Sequence, residues 1–300
     1  MEKRKRLIVV VGPTAVGKTS LCINLAKSLG TEILSADSRQ FYKEMNIGTA
    51  KPTEDELSQV HHHFINTLSI NEEYNIVEFE KDALQMVAAL FKKHDQLIMT
   101  GGSGLYIKIV CDGIDKIPDV DPEIRASLNK IKEENGLEEL VKKLKKLDPI
   151  HAEKVDLLNP QRVIRALEVC IGTGNPYSDF MINNKVDRPF DIVKIGLELE
   201  REVLFERINL RMDLMIEAGL FEEAKSLYKY KSLNALQTVG YKEIFDYLDG
   251  KYDKEEAIRL LKRNSRRFAK RQMTWFKKDG DIKWFQPTAY DKMLTYIDKN

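Results

Sequence analysis

The chain has 300 residues, room for a core of about 200 residues with an insertion, or for two modest domains. Hydrophobic residues at 43% and charged residues at 32% give the balance of a soluble globular protein and exclude a disordered or fibrous chain. Lys and Arg (48) nearly cancel Asp and Glu (47), so whole-chain charge predicts no polyanion partner and local charge must be read instead. Cys22, Cys111 and Cys170 are scattered and form no C-x-x-C, which predicts a reducing, cytoplasmic setting and no structural zinc. Met1 to Arg6 is basic, but only five apolar residues follow before a glycine loop, too few for a signal peptide or a membrane span.

Those five residues, Leu7 to Val11, read as a buried strand. Gly12-Pro13-Thr14-Ala15-Val16-Gly17-Lys18-Thr19 follows, and then Leu21, Leu25 and Leu29 at helical spacing. This is G-x-x-x-x-G-K-[ST] in its strand-loop-helix context, a phosphate loop of the ATP-binding type. The glycines let backbone N–H groups turn inward, and the helix N-terminus adds its dipole. Lys18 supplies a point charge, and the Thr19 hydroxyl is placed to ligate Mg²⁺. The loop predicts binding of a di- or triphosphate without saying which.

Glu32 to Asp37 reads as a second strand with Asp37 at its end. Ligands of open α/β sheets sit beyond the carboxyl ends of strands, so Asp37 and Thr19 should face one crevice. Position alone leaves Asp37 open between a general base, a group near Mg²⁺ and a loop cap. His61-His62-His63 invites a metal reading. Neighbouring histidines on an extended chain point to opposite faces, so at most two can share an ion. With no Cys nearby in sequence, they read as structural or loop histidines. Phe79, Ala83, Met86, Val87 and Leu90 mark a core-facing helix. Leu97 to Thr100 is a strand that does not end in Asp, which counts against a conventional NTPase. Gly101-Gly102-Ser103-Gly104 after it allows close approach of a ligand, with Ser103 offering a hydroxyl.

Ile117 to Pro122 marks a boundary, giving a first core part over 1–117 and a helical, charged insertion over 118–187. Lys142 to Lys146 reads as a solvated helix face. Asn159 caps a helix with Pro160 at its first position, and Arg162 and Arg165 share a face suited to phosphate oxygens unless Glu168 pairs with Arg165. Ile192 to Leu197 returns to strand pattern, so residues 188–300 form the second core part. Leu204 to Ala218 and Leu220 to Tyr228 are helical, and Thr238 to Glu243 joins a loop to another helix. The last long helix runs from Lys254 to Phe276, with Ile258, Leu261, Ser265, Phe268 and Trp275 as its expected inner stripe. Between Lys262 and Lys278 stand eight Lys or Arg and no acid, and aromatics beside such a stripe suit a nucleic-acid backbone.

Six ordered motifs now converge: GPTAVGKT (12–19), SADSRQ (35–40), GGSGLY (101–106), NPQRVIRALE (159–168), VGYKE (239–243) and RQMTWF (271–276). Together with His62-His63 and the Asp121 to Arg125 stretch, they make the chain resemble the bacterial tRNA dimethylallyltransferases, or tRNA isopentenyltransferases, over nearly its whole length. Ser103 departs from the Thr of many members but keeps the hydroxyl. The eukaryotic members' C-terminal zinc-finger extension has no counterpart among these residues. The resemblance implies an α/β fold, a P-loop NTPase-like parallel sheet flanked by helices with a helical insertion domain. It implies transfer of a dimethylallyl group from dimethylallyl diphosphate to N6 of the adenosine 3′-adjacent to the anticodon of tRNA. The phosphate loop, Gly12 to Thr19, with Arg165, would hold the diphosphate. Asp37 would be the general base, aided by Lys18, Thr19 and Ser103, with Mg²⁺ on Thr19. Asp37, Ser38, Arg39, Gln40, Ser103, Arg125, Gln161, Arg162, Val163, Ile164 and Arg165 match the tRNA-contacting set. Gly240, Tyr241, Lys242, Arg271, Gln272 and Trp275 complete it. The expected partner is the anticodon stem-loop, the expected setting is cytoplasmic, and a monomer is the default expectation. A P-loop kinase or an AMP isopentenyltransferase would not need the basic helix or the insertion. A non-catalytic RNA-binding protein would leave Asp37 without work.

Overall fold

The computed structural model describes residues 5–182 and 185–300. The first four residues of the basic N-terminus read above therefore lie outside the described set. The described chain divides into two compact units, Met1–Cys111 with Arg188–Asn300, and Asp112–Asp187.

The first unit is built on a six-stranded parallel sheet. Its strands are β1 (Arg6–Val11), β2 (Ile33–Ser35), β3 (His62–His63), β4 (Gln96–Thr100), β5 (Asp191–Leu197) and β6 (Lys283–Phe285), in the order β3-β2-β4-β1-β5-β6. The helices, in chain order, are α1 (Lys18–Leu29), α2 (Glu54–Gln59), α3 (Ile76–Leu90), α4 (Gly104–Asp112), α5 (Pro122–Asn135), α6 (Leu137–Leu147) and α7 (Pro149–Lys154). They continue with α8 (Pro160–Thr173), α9 (Arg201–Glu217), α10 (Leu220–Leu227), α11 (Lys242–Leu248), α12 (Lys254–Phe276) and α13 (Tyr290–Lys299).

A parallel sheet covered on both faces needs strands that are apolar on both sides, as the run Leu7 to Val11 is. Its residues alternate between two cores, as the period of a strand requires. Leu7, Val9 and Val11 join Leu34, Leu97 and Met99 against Phe79, Ala83 and Val87 of α3 and Ile107 of α4. Ile8 and Val10 join Ile33, Ile98 and Ile195 against Leu21 and Leu25 of α1, Leu204 and Ile208 of α9 and Met293 of α13. A third cluster, with Met45, Leu220, Leu236, Tyr241 and Leu261, packs α10, α11 and α12 together.

The registers Val10↔Thr100 and Ser35↔Thr100 bring the carboxyl ends of β1, β2 and β4 level. The loops that follow these strands therefore lie side by side, the crevice expected of an open α/β sheet. The second unit has its own core, in which Leu128, Leu140, Leu144, Val163, Ile164 and Leu167 from α5, α6 and α8 meet.

Candidate active site

Three loops meet at that crevice because glycines let them. Gly12 has φ +148°, and a Cβ there would stand 2.7 Å from the Leu197 carbonyl oxygen, so β1 passes β5 only with glycine. A Cβ on Gly101 would stand 2.3 Å from the Ala36 carbonyl oxygen, so the exits of β2 and β4 are pressed together and Asp37 is carried beside the phosphate loop. The Ser103 hydroxyl accepts the Ser38 N–H at 3.0 Å and donates to Ser38 Oγ at 3.0 Å, which pins the turn after Asp37. Gln272 of α12 ties the set together: its Oε1 accepts the Thr14 N–H at 2.8 Å, and its Nε2 donates to the Gly102 carbonyl at 3.0 Å.

The loops enclose a cavity of about 500 Å³ lined by Thr14, Lys18, Thr19, Asp37, Arg39 and Arg211, among others. Lys18 Nζ donates to the carbonyls of Gly12 at 2.9 Å and Pro13 at 2.8 Å. Burial, with the nearby Arg211 charge, lowers its pKa to about 8, and Asp37 acts in the opposite sense. Burial likewise lowers the pKa of Arg211, which donates to Thr14 Oγ1 and the Ala50 carbonyl, both at 3.3 Å. Arg207, one turn earlier on α9, lines the same cavity. The arrangement is an anion site with two carboxylates on its wall, Glu56 and Asp37, and the Asp37 Oδ1 accepts the Arg39 N–H at 3.0 Å. The motif reading missed Arg207 and Arg211. Their i,i+4 spacing in α9, which places both guanidinium groups on one helix face, was the available signal.

The family model for IPP transferases matches residues 40–279. The chain belongs to the IPP transferase family. It is 56% identical over 280 residues to a tRNA dimethylallyltransferase of Christiangramia forsetii, covering 93% of each chain. It is 52% identical over 294 residues to that of Cytophaga hutchinsonii, covering 98% of this chain and 97% of the relative. Among solved structures it is similar to the tRNA isopentenylpyrophosphate transferase of Bacillus halodurans, at 40% identity and TM-score 0.70 over 99% of this chain and 95% of the other. It is also similar to a eukaryotic dimethylallyltransferase acting on tRNA, at 29% identity and TM-score 0.77 over 98% of this chain and 77% of the other.

In this IPP transferase the remaining site candidates fall into three places. Some are structural parts of the cavity wall. Gln40 accepts the Ser35 hydroxyl at Oε1 and donates from Nε2 to the Thr49 and Ala50 carbonyls, each at 3.3 Å. Gln272 is buried, with both ends of its amide engaged as described above. Tyr241 is 0% exposed, and its hydroxyl donates to Glu223 at 2.6 Å. These side chains have framework bonds in the cavity wall. Tyr241's neighbours differ: Gly240 lines the cavity, and Lys242 is exposed.

The basic helix α12 also corrects its expected stripe. Ala257, Leu261, Ser265, Ala269, Gln272 and Phe276 face inward, whereas Phe268 and Trp275 are 37% and 40% exposed. The small residues let α12 lie close to the loops, and Trp275 packs where a Cβ on Gly104 would stand, 2.2 Å from its ring. Lys262 pairs with Asp213 at 2.6 Å, and Arg266 donates to Asn209. Arg267, Lys270 and Arg271 are exposed, and no acid among the described residues pairs with them. With Phe268 and Trp275 they make an outward row of cations and rings, and the Arg271 guanidinium lies 5.7 Å from the Phe268 ring centre.

The third place is the insertion unit. Asn159 Oδ1 accepts the N–H groups of Gln161 and Arg162, with Pro160 at the first position of α8, as its sequence predicts. Val163 and Ile164 are buried in that unit's core, where their side chains carry packing. Glu168, itself buried, accepts from Arg125 Nε at 2.6 Å and from Arg165 Nη1. Arg165 thus has a carboxylate partner where the resemblance implied a diphosphate. Glu168→Ala removes two charge-assisted bonds whose arginines are partly exposed, so a loss of about 2 kcal/mol is expected in urea unfolding.

The histidine run is placed differently from its reading. Glu32, just ahead of β2, meets His63: Oε2 lies 2.7 Å from His63 Nε2, although 31 residues separate them in sequence. Parallel pairing of β2 with β3 brings them together. His62 points to the other face and lines the cavity, with Nδ1 2.8 Å from the Val60 carbonyl oxygen. Among the described residues no helix is long and apolar enough to cross a membrane.

Proposed function

We propose that this protein transfers a dimethylallyl group from dimethylallyl diphosphate to N6 of the adenosine 3′-adjacent to the anticodon of tRNA, giving N6-dimethylallyladenosine. One observation carries the reading: Asp37, the phosphate loop and Arg211 share a single cavity beside the exposed basic and aromatic row of α12. The kinship with tRNA dimethylallyltransferases supports it.

The adenine N6 is a weak nucleophile because its lone pair is delocalised into the ring. The allylic carbon must therefore take on cationic character as its bond to the diphosphate oxygen breaks and its bond to N6 forms. Charge accumulates on the leaving diphosphate, where Lys18, Arg211, Arg207 and the loop N–H groups stabilise it. The proton leaving N6 goes to Asp37, whose Oδ1 is held by the Arg39 N–H and whose Oδ2 is the oxygen left to accept it. Ser103 fixes the turn that carries this carboxylate and acts on the reaction through Asp37. The target base must leave the anticodon-loop stack to reach the cavity, and Arg267, Lys270, Arg271, Phe268 and Trp275 suit the backbone and bases of that single-stranded loop.

The Thr19 hydroxyl and the Asp37 carboxylate are hard oxygen donors in one cavity, so the residues fit Mg²⁺. When bound, Mg²⁺ adds charge stabilisation at the diphosphate. The protein is expected to act as a cytoplasmic monomer.

The experiment is to incubate the protein with Mg²⁺, isotopically labelled dimethylallyl diphosphate and unmodified tRNA, digest the RNA and look for labelled N6-dimethylallyladenosine by mass spectrometry. Label in AMP instead would move the protein to the free-nucleotide branch. Label in neither, with ATP consumed on a small acceptor, would make it a kinase.

A pH dependence follows from Lys18. With its pKa lowered to about 8, the ammonium is present below that value and lost above it. The kcat/KM for the diphosphate donor is therefore expected to fall as pH rises through about 8. The limb in kcat moves to higher pH, because bound diphosphate favours the charged form. A donor kcat/KM flat through that range would remove Lys18 as the titrating group.

A further inference from the structure

His61 and His63 are two residues apart on extended chain, so their rings fall on the same side of the sheet. Their ring centres are 4.4 Å apart. Ile33 N–H donates to the His61 carbonyl at 3.0 Å, which sets Glu32 of the neighbouring strand beside them. One ligand atom from each of Glu32, His61 and His63 lies within 4.8 Å of the others. Glu32 is braced on its second oxygen: His94 Nε2 lies 3.3 Å from Oε1, and His94 Nδ1 lies 3.0 Å from the Gly30 carbonyl oxygen. His61 is exposed, so its ring is free to close on an ion arriving from solvent. Glu32 and His61 directly precede β2 and β3, and His63 lies within β3, whereas the catalytic loops follow the carboxyl ends of their strands.

We propose that Glu32, His61 and His63 form a binding site for a zinc-class divalent cation at the edge of the sheet. Two imidazoles and one carboxylate are a borderline-soft donor set, matched to Zn²⁺ or Co²⁺ and poorly matched to Mg²⁺. A fourth position faces water at the exposed His61. His94 plays the outer part that orients a ligating carboxylate. The ion staples β3, a strand of only two residues, to β2. It thereby steadies His62, which lies between the two histidine ligands and lines the catalytic cavity from the opposite face.

The test uses the untagged full chain, stripped with chelator. ZnCl₂ is titrated by calorimetry, and CoCl₂ is followed by visible absorption. One equivalent of Zn²⁺ is expected to bind in the micromolar range or tighter, to raise Tm, and to be matched by cobalt d–d bands of low-coordinate type. His61→Ala, at an exposed position that leaves the fold intact by circular dichroism, is expected to abolish the cobalt bands and the Tm shift. Glu32→Gln should do the same, and His94→Asn should weaken binding about 10- to 100-fold. Asp37→Asn should bind zinc as the parent does. Absence of saturable binding, binding indifferent to both His61→Ala and Glu32→Gln, or binding lost in Asp37→Asn would each overturn the proposal, the last by placing the ion in the catalytic cavity.

Discussion

Asp37→Asn is expected to lower the single-turnover rate of transfer by about 10²- to 10⁴-fold, the usual worth of a positioned general base. Donor and tRNA dissociation constants should stay close to those of the parent. The amide keeps the shape of the side chain and an oxygen for the Arg39 N–H that Oδ1 now accepts at 3.0 Å. It loses the basicity that takes the N6 proton. Asp37→Ala also frees that N–H, so it should abolish transfer and loosen the turn. A second readout separates loss of a base from disorder. Asp37 raises the pKa of Lys18 and of Arg211, so removing its charge drops the Lys18 value below about 8. The alkaline limb of residual donor kcat/KM should accordingly move to lower pH. An Asp37→Asn enzyme with close to full single-turnover rate would exclude Asp37 as the base.

How far the sequence carried the site depends on how local each part is. The phosphate loop is local: eight consecutive residues and two flanking patterns describe it completely, and the structure places Lys18 and Thr19 in the cavity. Asp37 was legible to the extent that a strand end has a known side. The structure adds what sets it there, the contact of Gly101 with Ala36. Arg211 was harder, because 197 residues separate it from its partner Thr14 and no motif marks it. The α12 stripe was misread because hydropathy weights aromatic rings heavily. A helix lying against loops instead needs small inward residues, and Ala257, Ser265 and Ala269 supply them. In the same way, β3 and β6 are two and three residues long and exist only through pairing with β2 and β5. Pairing of that kind also made Glu32 a partner of His63, which no distance along the chain suggested.

Glu223→Ala is the second change expected to have a large effect, and it acts away from the reacting atoms. The Glu223 carboxylate accepts four bonds: Oε2 from the N–H groups of Asn46 (3.0 Å) and Ile47 (2.8 Å), and Oε1 from Gly48 N–H (2.9 Å) and Tyr241 O–H (2.6 Å). Three successive N–H groups on one carboxylate hold the loop in a single shape. The next residues, Thr49 and Ala50, then present their carbonyls to Gln40 Nε2, and Ala50 also takes Arg211 Nη2. Removing the carboxylate strands a fully buried tyrosine hydroxyl and frees the loop, for a loss of about 3 kcal/mol in denaturant unfolding. Tyr241→Phe removes one of the four bonds and the hydroxyl together, so about 1 kcal/mol is expected. In kinetics the two variants should raise KM for the diphosphate donor more than they lower kcat. Arg211 loses the carbonyl that orients it, whereas Asp37 keeps its own support from Ser38, Ser103 and Arg39. If kcat fell while donor KM held, the loop would be acting on the carboxylate side of the cavity, and the chain of contacts from Glu223 through Ala50 to Arg211 would have to be abandoned.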